Sequence, residues 1–215
     1  MRVKNVDLRR EAGQRTRDQL LATALELLAQ RGPEGVTLRE ITEAAGTNVA
    51  AVSYHFGSLK VLCETAAKFA LERYLDVQHE AMSALEPGAT LLELAAAFAR
   101  PMVDALAAGG HDRAVMRTVA RFGADPPDGW DSLDDKFDQT RADAVRVLEV
   151  HLPSATEQEL IFRLRCAAGM VNWLALAPIG AELAGKPAEQ IEGLLLPVLA
   201  GAFRGDPGAG PGIEN

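Results

Sequence analysis

Apolar residues recur along this chain at three-to-four spacing, and the runs are cut repeatedly by glycine and proline. That period turns one face of a helix inward, whereas a half-buried strand would alternate by two. From Arg15 to Arg31 the stripe is Leu20, Leu21, Ala24, Leu25, Leu27 and Leu28, and Gly32-Pro33 stops it. Thr37-Leu-Arg-Glu40 has the form of a capping box and opens a short helix that ends at Gly46. Asn48 is suited to cap the next helix, which runs through Phe56. After Gly57, Ser58 can cap a long helix to about Ala84, with Leu62, Ala66, Phe69, Ala70 and Val77 as its stripe. Further helices are predicted over 90–107, 112–121, 131–151, 156–177 and 187–203, divided by Gly109-Gly110, Asp125 to Gly129, Leu152-Pro153 and Gly185 to Pro187. No segment reads as a strand, so the expected fold class is all-α. The last residues, 205–215, are rich in Gly and Pro and are expected to be disordered.

A chain of 215 residues, 48% of them apolar, can bury a core that needs neither disulfides nor metal. Collagen, wholesale disorder and a cysteine scaffold are excluded. Cys63 and Cys166 lie in apolar helical surroundings and read as buried thiols rather than a bridge, which fits a reducing cytoplasm. The N-terminus carries no apolar run of the kind a signal peptide needs, so the expected location is cytoplasmic. The most apolar stretch, Ala167 to Ala184, is broken by Asn172, Pro178 and Glu182 and reads as a buried helix rather than a membrane span.

Charge is unevenly spread within the net −8. Residues 1–60 carry nine Lys/Arg against seven Asp/Glu, and the rest of the chain carries thirteen against twenty-three. Only the first quarter can therefore approach a polyanion closely, and Arg2, Lys4, Arg9, Arg10, Arg15 and Arg17 form a basic N-terminal arm. The alternative for this arm is a solvated tail.

On a helical wheel for 48–56, Val49, Val52 and Phe56 fall on one side. Ala50 and Tyr54 point nearly opposite, flanked by Ala51 and Ser53. Small residues let a helix backbone come close to a partner, alanine methyls can meet thymine methyls, and Ser53 and Tyr54 can donate to bases or phosphates. This suits the second helix of a helix-turn-helix. The alternative is that the alanines only favour helix.

Residues 17–62, with Leu20-Leu21, Ala24, Leu27-Leu28, Gly32, Thr37, Arg39-Glu-Ile41, Ala44-Ala45-Gly46 and Ala51-Val-Ser-Tyr-His-Phe-Gly-Ser58, resemble the DNA-binding domain of TetR-family transcriptional regulators. The resemblance implies a homodimeric repressor whose ligand changes the separation of two reading heads on double-stranded operator DNA. It implies DNA contacts from Thr37 and Arg39, base or groove contacts from Asn48, Ala50, Ala51 and Ser53, and phosphate contacts from Tyr54 and His55. The wheel turns His55 toward the buried side, so a packed histidine is the alternative there. The family's usual lysine is replaced by Leu59, so Lys60, one position on and rotated by about 100°, is the candidate phosphate contact in its place. Asn48-Val-Ala-Ala-Val-Ser-Tyr-His-Phe56 is most similar to a subgroup that includes regulators of fatty-acid metabolism, which suggests a fatty acid or acyl thioester as effector. The expected division is a DNA-binding domain at 1–60, an effector-binding and dimerisation domain at 61–204, and the tail.

In the second domain Phe98, Met102, Met116, Phe122, Trp130, Phe137, Met170 and Trp173 could line an apolar pocket, with Arg117, Arg121 or Arg141 orienting an acid; core packing is the alternative. Leu160, Leu164, Ala167, Ala168, Val171 and Ala175, extended by Ile191, Leu194, Leu195, Val198 and Phe203, offer a surface through which the last two long helices of each copy would form a four-helix dimer bundle. Enzyme signatures are weak. Gly180 to Lys186 matches part of a phosphate-binding loop, but Pro187 stands where Ser or Thr would hold magnesium. His55, His79, His111 and His151 form no metal pattern, and no nucleophile elbow occurs. No catalytic residue, metal or cofactor is therefore expected. A helical adaptor without DNA binding remains the rival class.

Overall fold

The computed structural model describes residues 2–124, 126–127 and 130–205. Among them are ten α-helices and no strand: α1 (Arg2–Arg31), α2 (Leu38–Ala44), α3 (Val49–Phe56), α4 (Leu59–Ser83), α5 (Leu91–Ala108), α6 (Gly110–Ala124), α7 (Asp134–His151), α8 (Glu157–Leu176), α9 (Pro178–Leu183) and α10 (Ala188–Arg204). The protein is all-α, as its apolar period predicts. Single 3₁₀ turns stand at Pro33–Gly35 and Asp131–Leu133.

Two apolar cores organise the helices. The smaller gathers Leu20, Ala24 and Leu28 of α1, Ile41 of α2, Val52 and Phe56 of α3, and Leu62, Cys63 and Ala66 of α4. The larger is built by α4 to α10, with Leu94, Met102, Leu106, Leu148, Leu160 and Phe203 among its fully buried side chains. α4 serves both. Ala66 and Leu75, nine residues apart and both buried, point about 180° from each other, so the buried side of α4 swings round as the helix passes from one core to the other. That rotation leaves Phe69 and Val77 exposed, contrary to their expected place in a single stripe.

Several expectations are corrected. α1 begins at Arg2 rather than Arg15, so the backbone of the expected N-terminal arm is a continuation of the helix. The side chains of Arg2, Lys4 and Arg9 lie outside the described residues, as do the tail from 206 onward and residues 125, 128 and 129 of the expected break. Val49 is exposed despite its place on the wheel, because side chains tilt toward a helix's N-terminus and this first-turn residue overhangs the core's edge. Cys63 is buried, but Cys166 is exposed. The stretch 167–184 is not one buried helix. Pro178 cannot donate a backbone hydrogen bond and holds Ala177 extended at φ −77° and ψ 158°, so α8 stops and α9 begins. Gly180 is required at this corner, since a Cβ there would lie 2.1 Å from the Leu174 carbonyl oxygen. No helix among the described residues is long and apolar enough to cross a membrane.

The expected dimer surface is corrected as well. Leu160, Leu164, Ala167, Val171 and Ala175 of α8, with Ile191 and Phe203 of α10, are buried in the chain's own core. Phe203 meets Phe98 of α5 edge-on, with ring centroids 5.7 Å apart. Leu194 and Val198 of α10 are the members of the expected set that stay well exposed, and the other large exposed apolar residues of these helices are Phe162, Trp173 and Leu176 on α8.

Candidate DNA-binding surface and interior cavity

Local hydrogen bonds set the aim of α3. At the start of α2 the Glu40 N–H donates to Thr37 Oγ1 (3.3 Å), while the Thr37 backbone N–H and hydroxyl both donate to Glu40 Oε2 (3.1 and 2.7 Å). The Glu40 carboxylate also pairs with Arg31 at the end of α1. The Thr37 hydroxyl, with help from Arg31, holds its pKa below the ordinary value. α2 closes in a Schellman motif: Thr47 N–H donates to Thr42 O, Gly46 N–H donates to Glu43 O, and Gly46 takes φ 60°. Asn48 Oδ1 then accepts from Ala51 N–H at 3.0 Å and starts α3. Gly57, at φ 77°, ends it, and Ser58 Oγ caps α4 by accepting from Val61 N–H. Two helices are thus held around a tight turn by the signals their sequence carries.

α3 is anchored from beneath by Val52 and Phe56, 1% and 8% exposed. The Arg17 guanidinium of α1 lies 5.4 Å from the Phe56 ring centroid. The opposite side faces outward: Ala50 and Ser53 are exposed, Ala51 is half-buried, and Tyr54 is 84% exposed. His55 is half-buried, with its ring 4.9 Å from that of Tyr54 and its Cε1 close to where a Cβ on Gly13 would sit. Thr37 and Asn48 are exposed, but their side-chain oxygens already cap helices. Arg39 is held by Glu43 at 2.7 Å and Lys60 by Glu64 at 3.7 Å, both cations well exposed. All nine residues expected to face DNA lie on α2, on α3, at their caps, or at the start of α4.

Against the larger core a half-open cavity of about 420 Å³ lies between α4, α5, α6, α7 and α8, within the size range of small-molecule sites. Phe98 and Phe137 line it, and so does Arg141. The other expected lining residues do not. Met102 and Met116 are buried in the core; Phe122 stacks on Trp130 with centroids 5.7 Å apart; Met170 is half-buried; and Trp173 is 62% exposed on the outer side of α8. Arg117 and Arg121 line a separate polar cleft of about 90 Å³ against Arg31 and Gly32 at the end of α1. The cavity instead contains polar residues that the sequence reasoning missed: Tyr74, Gln78, Thr140 and Asn172. Their signal was present as a glutamine in the α4 row Leu71, Leu75, Gln78, Met82, and a threonine in the α7 row Thr140, Ala144, Val147. Among the described residues no cluster of His, Cys, Asp and Glu could hold a metal ion.

A helix-turn-helix with an outward small-residue face, carried on a helical domain with a half-open cavity, defines a DNA-binding transcriptional regulator. Residues 20–63 match the family described as bacterial regulatory proteins, tetR family, and residues 96–200 match the tetracyclin repressor-like C-terminal domain. The chain belongs to the TetR family. No curated protein matches it. Solved structures with the same fold include the TetR-family regulator PfmR from Thermus thermophilus, with 18% identity, 86% of this chain and 97% of that chain covered, and a TM-score of 0.61. A transcriptional regulator (RHA1_ro04179) from Rhodococcus sp. Rha1 shares 23% identity over 89% of this chain and 99% of its own, with a TM-score of 0.55. The regulator SCO7518 from Streptomyces coelicolor A3(2) shares 20% over 87% and 98%, with a TM-score of 0.53. At these identities the likeness is one of fold.

Proposed function

We propose that this protein is a homodimeric, cytoplasmic repressor that reads a near-palindromic operator with α3 and is released from it by a small effector held in the 420 Å³ cavity. The observation that carries the reading is the outward side of α3. A two-turn helix whose Val52 and Phe56 are buried presents Ala50, Ser53 and the most exposed large side chain of the helix, Tyr54, to whatever lies beyond. Its low relief suits close approach to the floor of a major groove, and Ser53 and Tyr54 supply donors at its edges. Arg39 and Lys60 flank it as phosphate partners, because their surface ion pairs with Glu43 and Glu64 are weak enough to exchange for a polyanion. An adaptor groove would offer large apolar anchors here instead.

The dimer contact is assigned to the outer side of α8 and α10. Phe162, Cys166, Gly169, Trp173 and Leu176 follow one another at four-and-three spacing, and Leu194, Val198 and Gly201 do the same on the neighbouring α10. Glycines within both rows allow close helix approach. Two copies joined there would place their recognition helices in successive major grooves, about 34 Å apart. Release follows if the effector binds more tightly to a head separation that does not fit DNA. α4 is the element able to carry that change: Leu71, Tyr74, Leu75 and Gln78 line the cavity, and Leu62, Cys63 and Ala66 belong to the reading-head core.

Selection of bound fragments from genomic DNA, followed by a mobility-shift titration, tests the reading. A palindromic site should emerge, with affinity falling at least ~10³-fold between low and physiological salt. No enrichment of any duplex at low ionic strength refutes it.

A further inference from the structure

The charge in the cavity lining is sorted by depth. Asp134, Asp138 and Arg165 are exposed and Arg141 is half-buried, with Arg141 paired to Asp138 at 2.8 Å. The buried polar groups of the lining, Gln78 and Thr140, are neutral, and so is the half-buried Tyr74 beside Gln78. Gln78, 4% exposed, donates through Nε2 to the Phe98 carbonyl at 2.6 Å and to Tyr74 Oη at 3.2 Å. The acceptor carbonyl of Phe98 fixes which end of the amide is nitrogen. Tyr74 Oη accepts from Gln78, so its own proton is left to donate, and burial pushes its pKa up to about 12.

Thr140 is the telling group. Three threonines are buried to a similar extent: Thr42, Thr118 and Thr140. The first two satisfy their hydroxyls on their own helices, donating to Arg39 O at 3.0 Å and to Ala114 O at 3.5 Å, the usual outlet for a helical threonine. Thr140, 6% exposed, has no hydrogen-bond partner for Oγ1, and it lines the cavity. A buried hydroxyl left unpaired is costly, and a ligand that pushes aside the atoms covering Oγ1 from the cavity side would relieve that cost.

We infer that the effector is an uncharged, largely apolar molecule with a carbonyl-type acceptor, such as a ketone, lactone or amide, that takes hydrogen bonds from Thr140 and Tyr74. This deepens the effector reading above and rests on it. It replaces the fatty acid suggested by the recognition-helix resemblance. Of the three arginines expected to orient a carboxylate, Arg117 and Arg121 lie outside the cavity, and Arg141, which does line it, is half-buried and already paired with Asp138, so a carboxylate carried in beside Gln78 and Thr140 would meet no free cation.

The test uses the full-length protein and three probes of one chain length: 2-octanone, octanamide and octanoate. Calorimetry at neutral pH should show both neutral probes binding at least ~10-fold more tightly than octanoate. Thr140→Val should abolish that preference by weakening the neutral probes at least ~10-fold, Thr140→Ser should retain it, and Tyr74→Phe should weaken binding independently. Without ligand, Thr140→Val should melt at the same temperature as the parent or higher, because it removes an unpaired hydroxyl; a purely structural threonine would make it melt lower. Preference for octanoate, or no binding by either neutral probe, overturns the inference and leaves the DNA-binding regulator intact. Tight neutral binding that leaves operator affinity unchanged upholds the inference and refutes release by effector.

Discussion

Tyr54 and Phe56 stand two positions apart on α3 and do opposite work, since about 200° of helix rotation separates them. Phe56 is 8% exposed and carries Arg17 over its ring, whereas Tyr54 is 84% exposed. Phe56→Ala should therefore cost about 3–5 kcal/mol of reading-head stability in thermal or urea unfolding. Ala50→Glu should leave the melting temperature within a degree or so and abolish operator binding in a mobility shift, because it places bulk and negative charge on the outward side. Ala50→Glu binding with parental affinity would remove that side from the interface. At this scale the sequence was legible where chemistry is local: Thr37, Asn48 and Ser58 all cap the helices their spacing announced. It was illegible where burial depends on a distant helix. Thr140 became a cavity residue only through the packing of α7 against α4 and α8.

Three of the helices begin with the same device. Thr37, Thr90 and Thr156 each receive a hydrogen bond from the backbone N–H three residues on, and Glu40, Glu93 and Glu159 each reach back to the threonine N–H. The hydrogen bonds to these threonines hold all three carboxyls below their ordinary value of 4.5. A depressed native pKa means stability that is present above the unfolded value and lost as pH falls through the native one. Melting temperature should therefore decline as the solution is acidified below about pH 4.5. Glu93→Gln combined with Glu159→Gln should show a shallower decline, since glutamine keeps the cap but does not titrate. An unchanged acid limb would show that the caps contribute nothing to it. These element boundaries were the most legible part of the fold, because a cap is written within four residues. α9 was not legible, because it exists only where Pro178 and the close approach of Gly180 to the Leu174 carbonyl turn the chain against its own preceding helix.

Across the whole molecule, α8 is apolar on two sides, and periodicity alone cannot say which one the chain keeps for itself. The row Leu160, Leu164, Ala167, Val171, Ala175 packs inward, leaving Phe162 and Trp173 at 67% and 62% exposure on the other side. Side chains of that size left in water beside Leu194 and Val198 of α10 form a patch of the kind that marks an interaction surface. A second copy is the partner that would also meet the need, set by the proposed function, for two reading heads on a palindrome. Trp173→Arg should consequently sediment as a monomer with its helical circular dichroism unchanged, and its melting temperature should no longer rise with protein concentration. Its operator affinity should drop by about 10²- to 10⁴-fold, because each half-site would then be bound without the effective concentration that linkage supplies. Leu164→Arg, on the inward row, should instead lose structure. A Trp173→Arg protein that stays dimeric would move the contact to another surface.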